Sequence, residues 1–238
     1  MISLLIPVYN EKENIPRYKT ELFPALREIE KKYRVTFEII FINDGSTDTT
    51  LDLLNSLGHI HIWSYPQNRG MGYAVKFGLS FCSGNEVVML DADLTFRPED
   101  ISQLIDKYQK TGADCVSGSP YLKSGLVGEV EPFRSFLSKG VNTISKILLQ
   151  SDISCISPIF RLYKRRVFED MVLTSDNFEI TAEIMAKLII MGKRVEEVPV
   201  QLLRRRYGSS KIRVFRSIQQ YLILFWKIFK VKYLHGEW

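Results

Sequence analysis

Short apolar runs of strand length alternate with segments of helical spacing along the first half of this 238-residue chain, and that alternation restricts the fold more than any other feature. Ile2 to Pro7, Val35 to Ile42, His59 to Ser64, Glu86 to Leu90 and Asp114 to Ser117 read as strands. Between them Pro16 to Tyr33, Thr49 to Leu57, Gly72 to Phe81 and Pro98 to Gln109 read as helices; Leu22, Leu26 and Ile29 mark the apolar face of the first. The strands lack a clean period of two, as expected where both faces of a sheet are covered. Parallel neighbours require a crossover between them, and helices supply it. The expectation is therefore an α/β fold, a Rossmann-like, mainly parallel sheet with helices on both faces.

Further along, Ser119 to Glu131 is Gly-rich and loop-like, in the manner of a mobile substrate loop. Helices are predicted at Arg134 to Leu149 and Phe178 to Met191, a strand at Val195 to Leu203, and only a weak pattern between the two helices. No internal repeat is visible. The chain divides into one domain over 1–213 and a tail over 214–238. In the tail, Phe215, Ile218, Leu222, Phe225 and Phe229 form one helical face, with Arg216, Gln220, Lys227 and Lys230 off it. Such an amphipathic helix either packs on the domain or lies in a membrane interface, where Trp226 and Tyr233 beside lysines are typical anchors. No run approaches the roughly 20 apolar residues that span a bilayer. The opening MISLLIPVYN reads as a strand, not a signal peptide.

Charge and cysteine usage narrow the setting. Lys and Arg total 32 against 27 Asp and Glu, a net charge of +5, and the excess is concentrated in the second half at Lys164-Arg165-Arg166 and Arg204-Arg205-Arg206. Phosphate-bearing substrates or an anionic membrane surface suit that distribution. Nucleic acid is disfavoured, because the basic loops lack the aromatic interleaving of a single-strand binder. Cys82, Cys115 and Cys155 form no C-x-x-C pair, so neither zinc nor a disulfide framework is expected, and a cytoplasmic setting follows.

Chemistry enters at the strand ends. In open parallel sheets ligands bind beyond the carboxyl ends of the strands. Three such ends carry acids here: Pro7-Val8-Tyr9-Asn10-Glu11, Asn43-Asp44-Gly45-Ser46 and Asp91-Ala92-Asp93. A rim of that charge calls for a divalent cation, and hard oxygen ligands favour Mg²⁺ or Mn²⁺ completed by substrate phosphates. A lone D-x-D is as readily a polar loop; the combination carries the signal.

The chain resembles family 2 glycosyltransferases of the GT-A fold, on IPVYNE at 6–11, FINDGSTDTT at 41–50, NRGMGYAVKFG at 68–78 and MLDADLTFRPED at 89–100. Its second half is similar to dolichyl-phosphate mannose synthases and related polyprenyl-phosphate glycosyltransferases, on GSPY at 118–121, Arg134 with Ser138 and Asn142, FRLYKR at 160–165, Glu183, EVPV at 197–200 and RRYGSSK at 205–211. The resemblance spans roughly residues 2 to 215. It implies an inverting, metal-dependent transfer of mannose or glucose from GDP-mannose or UDP-glucose to a polyprenyl phosphate. The implied setting is the cytoplasmic face of a membrane, with the chain held there by its tail or by a small membrane subunit.

By position, the resemblance implies that Pro7, Tyr9, Glu11, Ile42 and Asp44 hold the base and ribose. Asp91, Ala92 and Asp93 would face the metal-bound diphosphate, with Asp93 the direct ligand and Thr95 a further metal contact. Arg205 and Lys211 would reach the diphosphate from the other side, Gly208 letting the backbone come close, and Arg134 and Ser138 would meet the acceptor phosphate. Pro120 stands where those synthases have an Arg, and Cys155 where they have an Asp; Pro158 and Ile159 break the small-residue turn, and Lys123 is the substitute charge. A phosphate acceptor is already ionised and needs no strong base, which suits His59, His61 and His235 lying outside every motif. A sugar hydroxyl would need one, and Glu183 is then the candidate base or, equally, an ion partner for a basic cluster. A non-catalytic nucleotide-sugar-binding subunit is the remaining alternative.

Overall fold

In the computed structural model, β1 (Ile2–Val8) lies inside a seven-stranded sheet of order β3-β2-β1-β4-β6-β5-β7. The structure describes residues 1–58, 60–128, 132–208 and 214–238, with the side chains of 132–137 and 214–215 outside the description. Strand β1 pairs in parallel with β2 (Phe37–Asp44) and with β4 (Glu86–Met89), and β2 with β3 (His61–Tyr65). On the far side β5 (Cys115–Ser119) and β7 (Val195–Pro199) are parallel to each other. Between β4 and β5 runs β6 (Arg161–Lys164), antiparallel to both.

The apolar, non-alternating strands are explained by the two cores they feed. Leu4, Ile6 and Val8 face one core with Tyr18, Leu22, Leu26 and Leu104. Leu5 faces the opposite core with Ile42, Val87, Val75, Ile180 and Ile184. Both side-chain sets of one strand are thus out of water, as a doubly covered sheet requires. The covering helices are α1 (Ile15–Arg17), α2 (Phe23–Tyr33), α3 (Thr50–Asn55), α4 (Met71–Leu79), α5 (Ile101–Thr111), α6 (Pro132–Leu149), α7 (Ile180–Ile190) and α8 (Val214–Tyr233).

Three elements differ from the sequence reading, each for a physical reason. The single helix expected over Pro16 to Tyr33 is interrupted by a π-helical turn, Tyr18–Leu22, which the Phe23 N–H closes onto the Tyr18 carbonyl. Pro24 has no N–H and its ring would crowd the carbonyl of Thr20 in a continuous α-helix; the wider turn relieves both problems. Strand β6 carries a fully buried arginine, Arg161, on a core-facing position, so its four residues never look like a strand in the sequence. The last strand ends at Pro199, short of Leu203, and residues 200–205 leave the sheet toward the strand ends. On that path Leu203 N–H donates to the Thr95 carbonyl at 2.8 Å.

Helix α8 packs with α6 and α7 around Leu149, Ala182, Met185, Leu224, Phe225 and Ile228. The face predicted for it is rotated. Phe225 is buried, whereas Leu222 and Phe229 are exposed, and Phe215 lies outside the described side chains. The run Leu222 to Trp226 is apolar all round, so spacing alone does not choose which side is covered. Leu222, Ile223, Trp226, Phe229 and Tyr233 remain in solvent beside Lys227 and Lys230. No helix among the described residues is long and apolar enough to cross a membrane.

Candidate functional site at the carboxyl ends of the strands

The loop after β1 and the loop after β2 are knitted into one rim. Asn10 adopts a left-handed φ of 51°, and its Oδ1 accepts the Thr47 N–H at 2.8 Å. Asn tolerates that conformation better than a branched residue does. Glu11 N–H donates to Thr50 Oγ1 at 2.9 Å. The Glu11 carboxylate is buried and doubly used: Oε2 accepts from Asn14 Nδ2 at 2.6 Å and Oε1 from Arg205 Nη2 at 2.9 Å. Pro7 and Tyr9 are half-buried at the same rim.

Asp44 ends β2 and turns inward onto the next loop. Its carboxylate accepts Asn68 Nδ2 at 2.8 Å, Arg69 N–H at 2.7 Å and Gly70 N–H at 2.9 Å. Burial raises its pKa, and the Arg69 and Gly70 N–H groups with the Tyr65 hydroxyl hold the rise down. Ile42, expected at the nucleotide, has its side chain fully buried in the core beneath. Gly70 has φ 97°, and a Cβ there would lie 2.3 Å from the Asp176 carbonyl oxygen, so the 68–70 turn and the 175–177 segment touch backbone to backbone.

Opposite this rim stands the Asp91-Ala92-Asp93 turn. Asp93 Oδ1 accepts the Thr95 N–H at 3.0 Å, and Oδ2 accepts Arg205 Nε at 2.7 Å. Leu94 follows with φ 53°, a left-handed value that an L side chain adopts only under local constraint. The constraint comes from residues that sequence reasoning missed. Tyr18 Oη donates to the Ala92 carbonyl at 2.7 Å, and Arg17 Nη1 to the Asp93 carbonyl at 2.6 Å. Arg17 is itself fixed by Asn14 Oδ1 and by both oxygens of Glu21. The one sequence signal is Pro24, which forces the π-helical turn that begins with Tyr18. Tyr18→Phe leaves the Ala92 carbonyl buried without its donor, at a cost of about 1 kcal/mol. For a chain of this size thermal denaturation should register a fall in Tm of about 2–4 °C.

The charge balance favours a cation. Burial pushes the Asp91 carboxyl up to about 8, with Asp93 and Glu11 adding to the rise and Arg205 opposing it. Carboxylates outnumber the guanidinium among them. Among the described residues no group of three or more His, Cys, Asp or Glu side chains is gathered to hold a metal ion. The donor set is two hard carboxylates, Asp91 and Asp93. It fits Mg²⁺ or Mn²⁺, which keep waters and take the rest of their shell from substrate phosphates.

Tyr121 Oη donates to Ser138 Oγ at 2.9 Å, Lys123 is exposed, and Pro120 is buried. Cys155 is buried and accepts from Asn142 Nδ2 at 3.5 Å. The Arg134 side chain and Lys211 lie outside the described residues. Glu183 is fully buried; Oε1 accepts the Thr174 N–H, Oε2 the Ser175 N–H, and Lys187 Nζ lies 3.0 Å from Oε1. Lys187 is on the same helix and belongs to none of the basic clusters. Those donors outweigh burial and lower its pKa, the reverse of what a base near neutrality needs. His61 and His235 are exposed, and His59 lies outside the described residues.

Comparison with known proteins agrees with this architecture. Residues 3–172 match the model of glycosyl transferase family 2. A dolichol-phosphate mannosyltransferase of Pyrococcus furiosus is 30% identical over 96% of the chain, and a polyprenol monophosphomannose synthase of Mycolicibacterium smegmatis is 31% identical over 88%. The chain spans 64% of the length of the first and 80% of the second. Among solved structures, glucosyl-3-phosphoglycerate synthase of Mycobacterium tuberculosis with Mn²⁺, UDP and glucosyl-3-phosphoglycerate superposes with TM-score 0.70 at 14% identity, covering 97% of this chain and 79% of that one. That likeness supports the GT-A fold. With the acid-rimmed strand ends and the sequence match together, the chain belongs to glycosyl transferase family 2.

Proposed function

We propose that the chain moves mannose or glucose from GDP-mannose or UDP-glucose to a polyprenyl phosphate, with inversion and with Mg²⁺ or Mn²⁺. The observation that carries the reading is the convergence of Glu11, Asp91 and Asp93 from two strand ends with Arg205 from across the mouth. The names of the two relatives, a dolichol-phosphate mannosyltransferase and a polyprenol monophosphomannose synthase, support the acceptor class.

The chemistry follows from the charges. An acceptor phosphate oxygen attacks the anomeric carbon from the face opposite the diphosphate, the carbon–oxygen bond to the diphosphate breaks, and the nucleoside diphosphate leaves with the electron pair. Asp93 and Asp91 would hold a divalent ion, which would supply neutralisation of the charge on the leaving diphosphate, and Arg205 would meet the same diphosphate, so that fixed charge stands where charge develops. Asp44 shapes the 68–70 turn against the nucleoside, and Tyr121 with Ser138 and Lys123 faces the acceptor. No proton has to be removed from an ionised phosphate, which accords with Glu183 on α7 being spent on the 174–175 segment. This weighs against a sugar-hydroxyl acceptor.

The uncovered apolar strip of α8 with its flanking lysines supports work at an anionic membrane surface, the chain resting on the bilayer by that helix. The test is a panel of labelled nucleotide sugars incubated with a short polyprenyl phosphate, a free sugar and Mn²⁺. The reading expects label in the organic phase from one donor. Label only in water-soluble product would replace it with the hydroxyl reaction, and tight donor binding without turnover would make the chain a binding subunit.

A further inference from the structure

Arg205 occupies the place between acids where a metal reading would put positive charge. Its side chain is one quarter exposed, while those of Glu11 and Asp93 are 6% and 11% exposed. Nε lies 2.7 Å from Asp93 Oδ2 and Nη2 lies 2.9 Å from Glu11 Oε1. With the Thr95 N–H on Oδ1 at 3.0 Å, both oxygens of Asp93 are already accepting. A divalent ion on Oδ2 would share that oxygen with a guanidinium, and two cations at such a distance repel strongly in a half-buried setting.

From this geometry we propose that Arg205 is a resident counter-cation that keeps a divalent ion off Asp93 until a diphosphate draws the guanidinium away. Metal and nucleoside diphosphate then load together, and metal alone binds poorly. The diphosphate is the right trigger, because it offers the planar guanidinium a replacement for the carboxylates with matching bidentate geometry. The backbone need not move for the exchange. Leu203 N–H is tied to the Thr95 carbonyl and Leu202 bridges Val127, so the segment that carries Arg205 is anchored just before it and only the long side chain swings. The arrangement also protects the site at rest: without a counter-cation the buried acids would repel one another, and without its release the diphosphate would meet a mouth with the metal missing. The proposal rests on the metal–diphosphate reading of Asp93.

Mn²⁺ binding measured by electron paramagnetic resonance separates the two ideas. The full chain, Arg205→Met, Arg205→Lys, Asp93→Asn and the Arg205→Met/Asp93→Asn double variant are titrated with Mn²⁺ alone and then with UDP or GDP added. Arg205→Met should bind Mn²⁺ alone at least about tenfold more tightly than the unaltered chain, about 1.4 kcal/mol. Arg205→Lys, a point charge that cannot bridge both acids, should fall between, and the double variant should lose the gain. Adding the nucleotide should tighten Mn²⁺ binding in the unaltered chain and do so less in Arg205→Met, a dependence on the nucleotide that a merely structural role would not produce. Circular dichroism melting checks each fold, and Arg205→Lys keeps the test decisive if the Met variant unfolds. Equal or weaker Mn²⁺ binding in both Arg205 variants, with Asp93→Asn still weakening it, would overturn the proposal and leave the metal reading standing. Mn²⁺ binding indifferent to Asp93→Asn in both backgrounds would overturn both.

Discussion

Asp93→Ala should lower the rate of sugar transfer by about 10²-fold or more at saturating donor, the scale on which loss of one transition-state charge contact is felt. Two contributions fall together. The carboxylate that would ligate the ion is gone, and Arg205, held at 2.7 Å from Asp93 Oδ2, loses that contact while its contact with Glu11 stays. The turn itself should survive, because Arg17 and Tyr18 hold it through the backbone carbonyls of Asp93 and Ala92 and not through the carboxylate. The measurement is single-turnover transfer beside a melting curve. A rate within threefold of the unaltered chain would remove Asp93 from the chemistry.

The second large effect concerns the fold. Arg161 is fully buried and donates to Ser117 Oγ at 3.1 Å, Tyr163 Oη at 3.3 Å, and the carbonyls of Thr181 and Ile156, each at 2.6 Å. It is the cross-link between β6, β5, the start of α7 and the 151–159 segment. Arg161→Ala takes the guanidinium donor from the Ile156 carbonyl, at about 1–3 kcal/mol, removes a second donor from the Thr181 carbonyl, and opens a cavity besides. A loss on the order of 4 kcal/mol would remove much of a typical domain's stability. Urea denaturation should therefore find Arg161→Ala largely unfolded at 25 °C or shifted far toward low denaturant, with Arg161→Met less affected because it refills part of the volume. A midpoint unchanged in both would mean that the guanidinium's hydrogen bonds contribute little.

Arg161 also explains where the sequence was hard to read. The parallel core was legible because β1, β2 and β4 are apolar on both faces, and the acids at their carboxyl ends stand out against that background. Strand β6 was not, because a buried charge satisfied by distant carbonyls has no local pattern. The same holds at the site. Glu11, Asp91, Asp93 and Arg205 could be singled out by motif, yet that Arg205 bridges Glu11 and Asp93 depends on where the chain goes after Pro199. Arg17 and Tyr18 act on backbone carbonyls 76 and 74 positions away, which no spacing rule reports. Asp44 was legible as an acid at a strand end, but its three donors from Asn68 to Gly70 turn it into the support of a loop. In α8 the helix was visible and its buried side was not, since the apolar run 222–226 offers more than one face and only packing on α6 and α7 selects.

The most direct test of the central claim, that the acidic turn and Arg205 form a clamp for a metal-bound diphosphate, is calorimetric titration of UDP and GDP into the chain with and without Mn²⁺. One of the two nucleotides should bind at least about tenfold more tightly with the metal, a difference of about 1.4 kcal/mol, and Asp93→Asn should erase the difference. Nucleotide binding of equal strength with and without Mn²⁺, unchanged in Asp93→Asn, would contradict it.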